Sequence, residues 1–217
     1  WWDGSDGHRG HAGRAAWAWV LAEPVLQVAV LMAVFTFARD NSMPGVEFAL
    51  FLAVGVLGFG MFRNCAQRCI GAIEANQAMF IYRQVRPVDA GLVRCFLEGL
   101  LQFITVVLLL GGAYIAGYQV TMVDPLGFAL SLYLLWQFGA GVGLLVSAGS
   151  RLVPEVGKIT GFVFTPLYFT SGVFFRPELA PAGVREWLLM NPLVHGIEGL
   201  RAAMFPAYHP LSSISQV

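Results

Sequence analysis

The chain has 217 residues, of which 57% are hydrophobic and 12% are charged, against roughly 45 to 50% apolar and about 25% charged residues in an ordinary soluble domain. Lysine plus arginine and aspartate plus glutamate number 13 each, so net charge favours neither a nucleic-acid partner nor an acidic one. The composition therefore excludes an ordinary soluble protein and predicts a single membrane domain over residues 1 to 217.

The first predicted membrane span covers residues 15 to 37, which is long enough to cross a bilayer with some tilt. It contains Glu23 followed by Pro24. Because a carboxylate is costly inside a span, we expect Glu23 to lie near an interface, face protein or be protonated.

The second predicted span covers residues 47 to 62 and continues, without a helix breaker, as an amphipathic stem to about residue 73. The apolar positions of the stem have helical spacing and the polar positions take the other face. The apolar ones are Phe62, Cys65, Ala66, Cys69, Ile70 and Ile73, and the polar ones are Arg63, Asn64, Gln67 and Arg68. We therefore expect this helix to project beyond the bilayer into a polar connector that ends at Pro87.

The third predicted span covers residues 94 to 116, with Asp89 as the N-cap. Arg94 and Glu98 stand one turn apart at its start, where they are able to pair.

The fourth predicted span covers residues 125 to 148, because Asp124 followed by Pro125 is typical of an N-cap and a first helical position. Gly139 and Gly143 have the small-xxx-small spacing that lets membrane helices approach closely. We expect tight helix packing at these two glycines.

The fifth predicted span runs from residue 156 to residue 175, and it contains Pro166 in its middle and Ser171 with Gly172 near its end. These residues predict a kinked or broken helix.

Two short amphipathic helices are predicted at about residues 182 to 190 and 193 to 205, and neither is long enough to span. The second has an apolar face of Leu193, Ile197, Leu200 and Met204, and a polar face of His195, Glu198 and Arg201. We expect both helices to lie at the outer membrane surface.

The placement of Arg and Lys predicts the orientation. One set of connectors has nine of them, Arg9, Arg14, Arg63, Arg68, Arg83, Arg86, Arg94, Arg151 and Lys158, and the other has four, Arg39, Arg176, Arg185 and Arg201. The N-terminus and the connector between the second and third spans are therefore predicted to be cytoplasmic.

The chain contains three cysteines, and Cys65 and Cys69 are one helical turn apart while Cys95 follows in the third span. This spacing favours thiols that pack between helices over a metal or redox role.

A membrane enzyme is the rival functional class, and the sequence contains neither a GxSxG nor an HExxH motif to support it. His195 with Glu198 is more typical of a surface pair than of a metal site, and Gly157 with Lys158 matches a phosphate-binding loop only in part. Because the charges lie mostly at span ends, a proton- or sodium-coupled carrier is also disfavoured. We therefore expect the energy for any transport to come from another chain.

Four stretches carry a resemblance to a known family. They are AWAWVLAEPVLQ in the first span, EANQAMFIYRQVRP in the connector, TSGVFF in the fifth span and REWLLMNPLVHGIEGLR beyond it. The most specific part is SGVFF followed about 20 residues later by NPLVHGIEGLR. The chain resembles the membrane permeases of type 2 ABC exporters, and among them it is most similar to the capsular polysaccharide export permeases of the bacterial inner membrane.

The resemblance implies an all-α polytopic membrane protein, the transmembrane domain of a type 2 ABC exporter, with short re-entrant or interfacial helices on the periplasmic side. Such permeases have six spans, of which five are visible here, and an interfacial helix before the first span. The chain begins at Trp1 without the features of a signal peptide. We expect it to be a fragment of a longer protein.

The resemblance also implies a homodimer bound to two cytoplasmic ATP-binding subunits, which hold ATP and magnesium, so that this chain itself needs no cofactor or metal. The expected substrate is a lipid-anchored polysaccharide, and a periplasmic adaptor and an outer-membrane export channel are further expected partners, whereas nucleic acid is not. The implied coupling residues lie in the connector and are Glu74, Asn76, Gln77, Arg83 and Arg86.

A polysaccharide presents hydroxyl edges and apolar CH faces, so aromatic platforms suit a sliding path better than fixed charges. The candidate path residues are Tyr168, Phe169, Phe174, Phe175 and Trp187, with Phe162 and Phe164 as weaker candidates. Lipid contact or helix packing is the alternative for each, since Trp and Tyr also collect at bilayer interfaces. The residues predicted to break and turn the chain at a re-entrant exit are Pro166, Ser171, Gly172, Pro177 and Pro181.

These features predict the permease subunit of an ATP-driven exporter of capsular polysaccharide. An exporter of O-antigen, teichoic acid or a small lipophilic drug is the nearest alternative. From other classes, a membrane enzyme acting on lipid-linked sugars and a non-transporting scaffold stay open.

Overall fold

The computed structural model describes residues 26, 48 to 75, 87 to 115, 117, 120 to 153, 155 to 177, 180 to 206 and 208. Within these residues the regular structure is helical and no strand occurs. In chain order the helices are α1 (Phe48–Ala75), α2 (Pro87–Ile115), α3 (Pro125–Leu152), α4 (Glu155–Thr170), α5 (Ala182–Leu189) and α6 (Pro192–Met204). The predicted all-α class is therefore confirmed for the described part of the chain.

Three of these helices are long and apolar enough to cross a membrane. Their apolar segments are Leu50–Ala72, Val88–Ile115 and Pro125–Leu152, with 23, 28 and 28 residues. They correspond to the second, third and fourth predicted spans. The first predicted span, residues 15 to 37, lies outside the described residues apart from Leu26.

Helix α1 continues without interruption from its bilayer-length part into the predicted stem. The apolar stem positions Cys65, Ala66, Cys69 and Ile70 are buried, because their helical spacing turns them all toward the neighbouring helices. The polar positions Arg63, Gln67 and Arg68 are exposed. The apolar and polar faces are therefore seen from Phe62 to Ile70, within one helix that reaches Ala75.

The start of α2 differs from the prediction, since the helix begins at Pro87 rather than near Arg94. Proline is well tolerated at a first helical position, where a backbone N–H would have no helical acceptor. Asp89 is consequently a residue of the first turn and not the N-cap. Its carboxylate there interacts favourably with the positive end of the helix dipole.

The start of α3 is as predicted. The side chain of Asp124 accepts a hydrogen bond from the backbone N–H of Gly127 at 2.9 Å, and Pro125 takes the first helical position. The helix reaches Leu152, four residues beyond the predicted end at residue 148.

Helix α4 corresponds to the fifth predicted span but ends at Thr170, before the predicted end at residue 175. Its 16 residues extend about 24 Å at 1.5 Å per residue, less than the roughly 30 Å of a hydrocarbon core. Pro166 lies inside the helix and does not end it. The chain leaves the helix at Ser171 and Gly172, where Gly172 has a φ of 70° that glycine adopts at little cost.

Helices α1 and α3 meet through their backbones. A Cβ atom added at Gly139 would lie 2.5 Å from the backbone oxygen of Phe62, and one added at Gly143 would lie 2.9 Å from that of Ala66. The predicted close approach at these glycines is therefore confirmed, and α1 is its partner helix.

Helix α6 packs against both α1 and α3. A Cβ atom at Gly196 would lie 2.6 Å from Cδ2 of Leu135 in α3, and one at Gly58 of α1 would lie 2.7 Å from Cδ1 of Leu200. Of the predicted polar face, His195 is exposed, but Glu198 and Arg201 are buried.

The predicted pairing of Arg94 with Glu98 is confirmed at 3.9 Å, and Arg68 of α1 approaches the same carboxylate at 3.7 Å. One turn further along, the side chain of Asn64 donates to that of Gln102 at 3.5 Å. Polar contacts therefore join α1 to α2 next to their apolar packing.

The three cysteines fill the contact between α1, α2 and α3, and each is fully buried. The Sγ atom of Cys95 lies 3.7 Å from the carbonyl oxygen of Cys65, and the indole N–H of Trp136 donates to the carbonyl oxygen of Cys95 at 2.8 Å. This environment supports the packing role predicted for Cys65, Cys69 and Cys95.

We expect Gly139→Ala to destabilise the detergent-solubilised protein, because the added methyl group would force α1 and α3 apart, and such overpacking costs about 1 to 3 kcal/mol. Gly141→Ala is the matched control in the same helix, since no atom lies within 4 Å of its Cβ position. Thermal unfolding measures both variants. The same unfolding midpoint for the two would contradict the close contact.

Candidate functional site

Helix α4 and the turn after it present aromatic side chains that meet rings of α1. The ring of Tyr168 lies 4.8 Å from that of Phe59, 5.8 Å from that of Phe169 and 5.0 Å from that of Phe174, measured between centroids. Further ring contacts lead from Phe59 into the bundle. We name as the aromatic cluster the residues Phe59, Phe62, Phe138, Phe164, Tyr168, Phe169 and Phe174.

The aromatic cluster has a buried side and an exposed side. Phe59, Phe62 and Phe164 are buried, whereas Tyr168 is half-buried and Phe169 is 57% exposed. Rings at these distances and inclined to each other attract one another beyond their apolar contact. The inner rings therefore fix the position of the outer ones, which form an aromatic edge along α4.

The structure brings together three of the five predicted path residues, Tyr168, Phe169 and Phe174. Phe175 and Trp187 stand apart from them, and within the described residues neither ring meets another. Trp187 is 76% exposed on α5. The predicted path is therefore one compact group and two separate aromatic residues.

The two weaker candidates have opposite environments. Phe162 is exposed on α4, whereas Phe164 is buried and its ring lies 5.5 Å from that of Phe62. Helix packing, the alternative interpretation, therefore describes Phe164.

The predicted break residues form a connected turn. The hydroxyl group of Ser171 donates to the carbonyl oxygen of Leu167 at 2.5 Å and accepts from the side chain of Asn191 at 3.4 Å. Asn191 also caps α6, since its side-chain oxygen accepts from the backbone N–H of Leu193 at 3.0 Å. The end of α4 is thereby tied to the start of α6.

The prolines of the predicted break have different positions. Pro177 is buried beside Gly172, whereas Pro181 directly precedes α5 and its carbonyl oxygen accepts from the backbone N–H of Arg185 at 2.9 Å. Pro166 lies within α4. The chain therefore turns at Gly172 and again before α5.

Arg201 of α6 is fully buried and holds the turn after α4. Its Nη1 atom donates to the carbonyl oxygen of Gly172 at 2.8 Å, and its Nη2 atom donates to that of Val173 at 2.7 Å. Nη2 also lies 3.5 Å from the carbonyl oxygen of Phe51, whose ring centroid is 3.6 Å from the guanidinium carbon. One side chain thus joins α6, α1 and the turn.

The guanidinium group of Arg201 lies outside the three membrane-length segments. Burial lowers its pKa to about 10, and the nearby Tyr208 and Glu198 act in the opposite direction. Arg201 therefore remains a cation at neutral pH, and the face of the Phe51 ring stabilises that charge.

Glu198 is also buried on α6, one turn before Arg201. Its Oε1 atom accepts a hydrogen bond from the hydroxyl group of Tyr208 at 3.3 Å. Among the described residues, neither Oε2 of Glu198 nor Nε of Arg201 has a hydrogen-bond partner, and the two side chains form no ion pair. Two buried ionisable side chains thus each have one atom without a hydrogen bond.

Sequence reasoning placed Arg201 on the polar face of this helix and so missed this contact. The signal was present, because Val194, Ile197, Arg201 and Met204 follow one another at intervals of three or four residues. This spacing defines a single stripe of a helix, and its other three members are buried.

The predicted coupling residues Asn76, Gln77, Arg83 and Arg86 lie outside the described residues. Glu74 belongs to the last turn of α1. In the part of the chain that the structure describes, no group of three or more His, Cys, Asp or Glu side chains is arranged to hold a metal ion.

Comparison with known proteins places these features in a family. A model of the ABC-2 type transporter family matches residues 12 to 205. The chain is 33% identical over 195 residues to the polysialic acid transport protein KpsM of Escherichia coli, an alignment that covers 90% of this chain and 76% of KpsM.

Two further relatives have capsule export names. The capsule polysaccharide export inner-membrane protein CtrC of Neisseria meningitidis is 30% identical over 190 residues, with 86% of this chain and 71% of CtrC covered. BexB of Haemophilus influenzae, which has the same descriptive name, is 27% identical over 187 residues, with the same two shares covered.

The relatives cover most of the chain, and the family model includes the membrane-length helices together with α5 and α6. They agree with the resemblance read from the sequence, and they describe a membrane subunit of a transporter rather than an enzyme. This chain belongs to the ABC-2 type transporter family.

Proposed function

We propose that this chain is the membrane-spanning permease subunit of an ATP-driven exporter that moves capsular polysaccharide across the bacterial inner membrane. The observation that carries this proposal is the similarity to KpsM, CtrC and BexB over 86 to 90% of the chain. Three membrane-length helices support a multi-pass protein, and the names of CtrC and BexB support the inner membrane as its location.

In this proposal the permease works as a homodimer with two cytoplasmic ATP-binding subunits, which bind ATP and magnesium. The polymer crosses as a lipid-anchored polysaccharide and passes to a periplasmic adaptor and an outer-membrane export channel. The excess of Arg and Lys on one set of connectors supports a cytoplasmic N-terminus.

The coupling surface is proposed for the connector that follows α1. The helix extends beyond the length needed to cross a bilayer and exposes Arg63, Gln67 and Arg68 on its stem. A rigid stem is able to transmit a push from an ATPase to the bundle because α1 is packed against both α2 and α3.

The substrate route is proposed for the exposed edge of the aromatic cluster, at Tyr168, Phe169 and Phe174. Aromatic faces attract the CH faces of sugars without fixing a charge, so a polymer is able to slide along them. Trp187 and Phe175 extend this route toward the outside.

Deletion of the protein in its own bacterium tests the proposal. We expect the capsule to disappear from the surface and the polymer to accumulate inside the cell, and the chain to co-purify with an ATP-binding subunit. A deletion strain that still displays its capsule would overturn the capsular substrate and favour another exporter class.

We expect Arg83→Ala or Arg86→Ala to weaken the association with the ATP-binding subunit by about fivefold to tenfold, since loss of one contributing interface residue costs upward of about 1 kcal/mol. Arg39→Ala is the matched control, because charge placement predicts the opposite side of the membrane for Arg39. Co-purification yield and ATPase stimulation are the readouts. Unchanged assembly and activity would remove the docking assignment.

We expect Tyr168→Ala and Phe174→Ala to reduce export about twofold to tenfold, the range that corresponds to the loss of one aromatic contact, whereas Tyr168→Phe keeps its ring and its export. Phe96→Ala is the control, since Phe96 is exposed on α2 outside the aromatic cluster. Surface polymer is measured at equal membrane levels of each variant. Full export by both alanine variants would exclude these residues from the route.

A further inference from the structure

Arg201 binds the last two residues of the turn formed by Ser171, Gly172 and Val173. Val173 is fully buried, and the carbonyl oxygens of Gly172 and Val173 both accept from the guanidinium group. Within the described residues, the other polar ties of the turn are made by the hydroxyl group of Ser171, which contacts the carbonyl oxygen of Leu167 at 2.5 Å and the side chain of Asn191 at 3.4 Å. Among the described residues, Arg201 is therefore the side chain that binds the carbonyl oxygens at the end of the turn.

Arg201 and Glu198 are one helical turn apart, a spacing at which side chains of opposite charge are able to pair. Both are fully buried, yet Nε of Arg201 and Oε2 of Glu198 lack partners among the described residues. A buried charged group with an unused donor or acceptor costs free energy. In the observed position, Arg201 satisfies the carbonyl oxygens of the turn, but Arg201 and Glu198 each remain incompletely paired.

We propose that Arg201 is a two-position latch, bound to the carbonyl oxygens of Gly172 and Val173 when the turn is closed and to Glu198 when the turn opens. In the open position the ion pair replaces the hydrogen bonds to the turn. When the turn is released, Glu198 pairs with the guanidinium group of Arg201, which would otherwise be an isolated charge in the interior.

Two features of the turn suit such a movement. Gly172 has a left-handed φ of 70° and no side chain, so its backbone is able to change conformation at low cost. The carbonyl groups that Arg201 releases belong to a turn and not to a helix, so they are able to form hydrogen bonds with water. The contact of Arg201 with Phe51 lies on α1 and does not depend on the turn.

The position of the latch gives it a consequence for transport, and this step rests on the proposed function. The turn lies between Tyr168 and Phe174, whose rings are 5.0 Å apart. Its opening would separate these rings and so change the exposed edge of the aromatic cluster. The latch is therefore a positioning device for the proposed route.

A cysteine at position 173 reports the opening of the turn. Val173→Cys is a small change at a fully buried position, and the three native cysteines are also fully buried, so a maleimide reagent labels position 173 when the turn opens. The labelling rate is measured on the purified full chain with its ATP-binding subunit. The chain without Val173→Cys gives the background rate.

We expect Arg201→Gln to raise the labelling rate about tenfold or more, which corresponds to the loss of hydrogen bonds from a charged donor. Gly55→Ala tests the latch with Arg201 in place, because the added Cβ would lie 2.5 Å from Nη2 of Arg201 and 3.0 Å from the carbonyl oxygen of Val173. It should also raise the rate, whereas Gly71→Ala in the same helix has open space around its Cβ position and should not.

Glu198→Gln distinguishes a latch from a fixed strut. If Glu198 receives the released guanidinium group, the substitution removes the ion pair of the open position, and labelling becomes several-fold slower. Faster or unchanged labelling in Glu198→Gln would overturn the second position. Wild-type labelling rates in both Arg201→Gln and Gly55→Ala would overturn the latch altogether.

Two controls separate the labelling result from effects on folding and from the proposed transport function. Each variant is first compared with the wild type by size exclusion and unfolding midpoint, and if Arg201→Gln does not fold, Gly55→Ala alone decides the outcome. The labelling experiment needs no polysaccharide, so a failure of the capsular assignment would not contradict the latch. Labelling rates that are the same in all variants would contradict the latch without contradicting the proposed function.

Discussion

The backbone contact between α1 and α3 at Gly139 and Gly143 is the constraint on which the rest of the described structure depends. In a bilayer, apolar side chains gain little by leaving lipid for protein, so helices associate where small residues permit close van der Waals contact. The two glycines lie so close to the backbone of Phe62 and Ala66 that an added methyl group would clash with it. This contact fixes the surface on which α6 and the aromatic cluster are placed.

The close approach of α1 and α3 creates a packing surface for α6 that a single helix could not provide. Gly58 and Gly196 bring α6 against both partners, and the buried face of α6 carries Glu198 and Arg201 into that contact. A buried cation requires acceptors. The chain supplies them by ending α4 early, so that carbonyl groups of the turn face the guanidinium group. The short α4 and the buried arginine are therefore two parts of one arrangement.

Features set by local sequence could be predicted well. The continuation of α1, the cap at Asp124 and the glycine spacing at Gly139 and Gly143 are each visible within a few turns of one helix. The end of α4 and the burial of Arg201 could not be predicted in the same way, because each depends on the other across a large sequence separation. The division of the predicted aromatic residues between the cluster and α5 likewise depends on which rings α1 offers to α4.

The central claim is that this chain forms a polysaccharide route driven by a separate ATPase. Reconstitution of the chain with its ATP-binding subunit in vesicles, supplied with lipid-linked capsular polymer, measures this directly. The account predicts that polymer crosses the membrane with ATP and with both subunits present, and not when either subunit is omitted. Polymer that stays in place while ATP is hydrolysed, or lipid-linked sugar that is converted by this chain alone, would contradict the account.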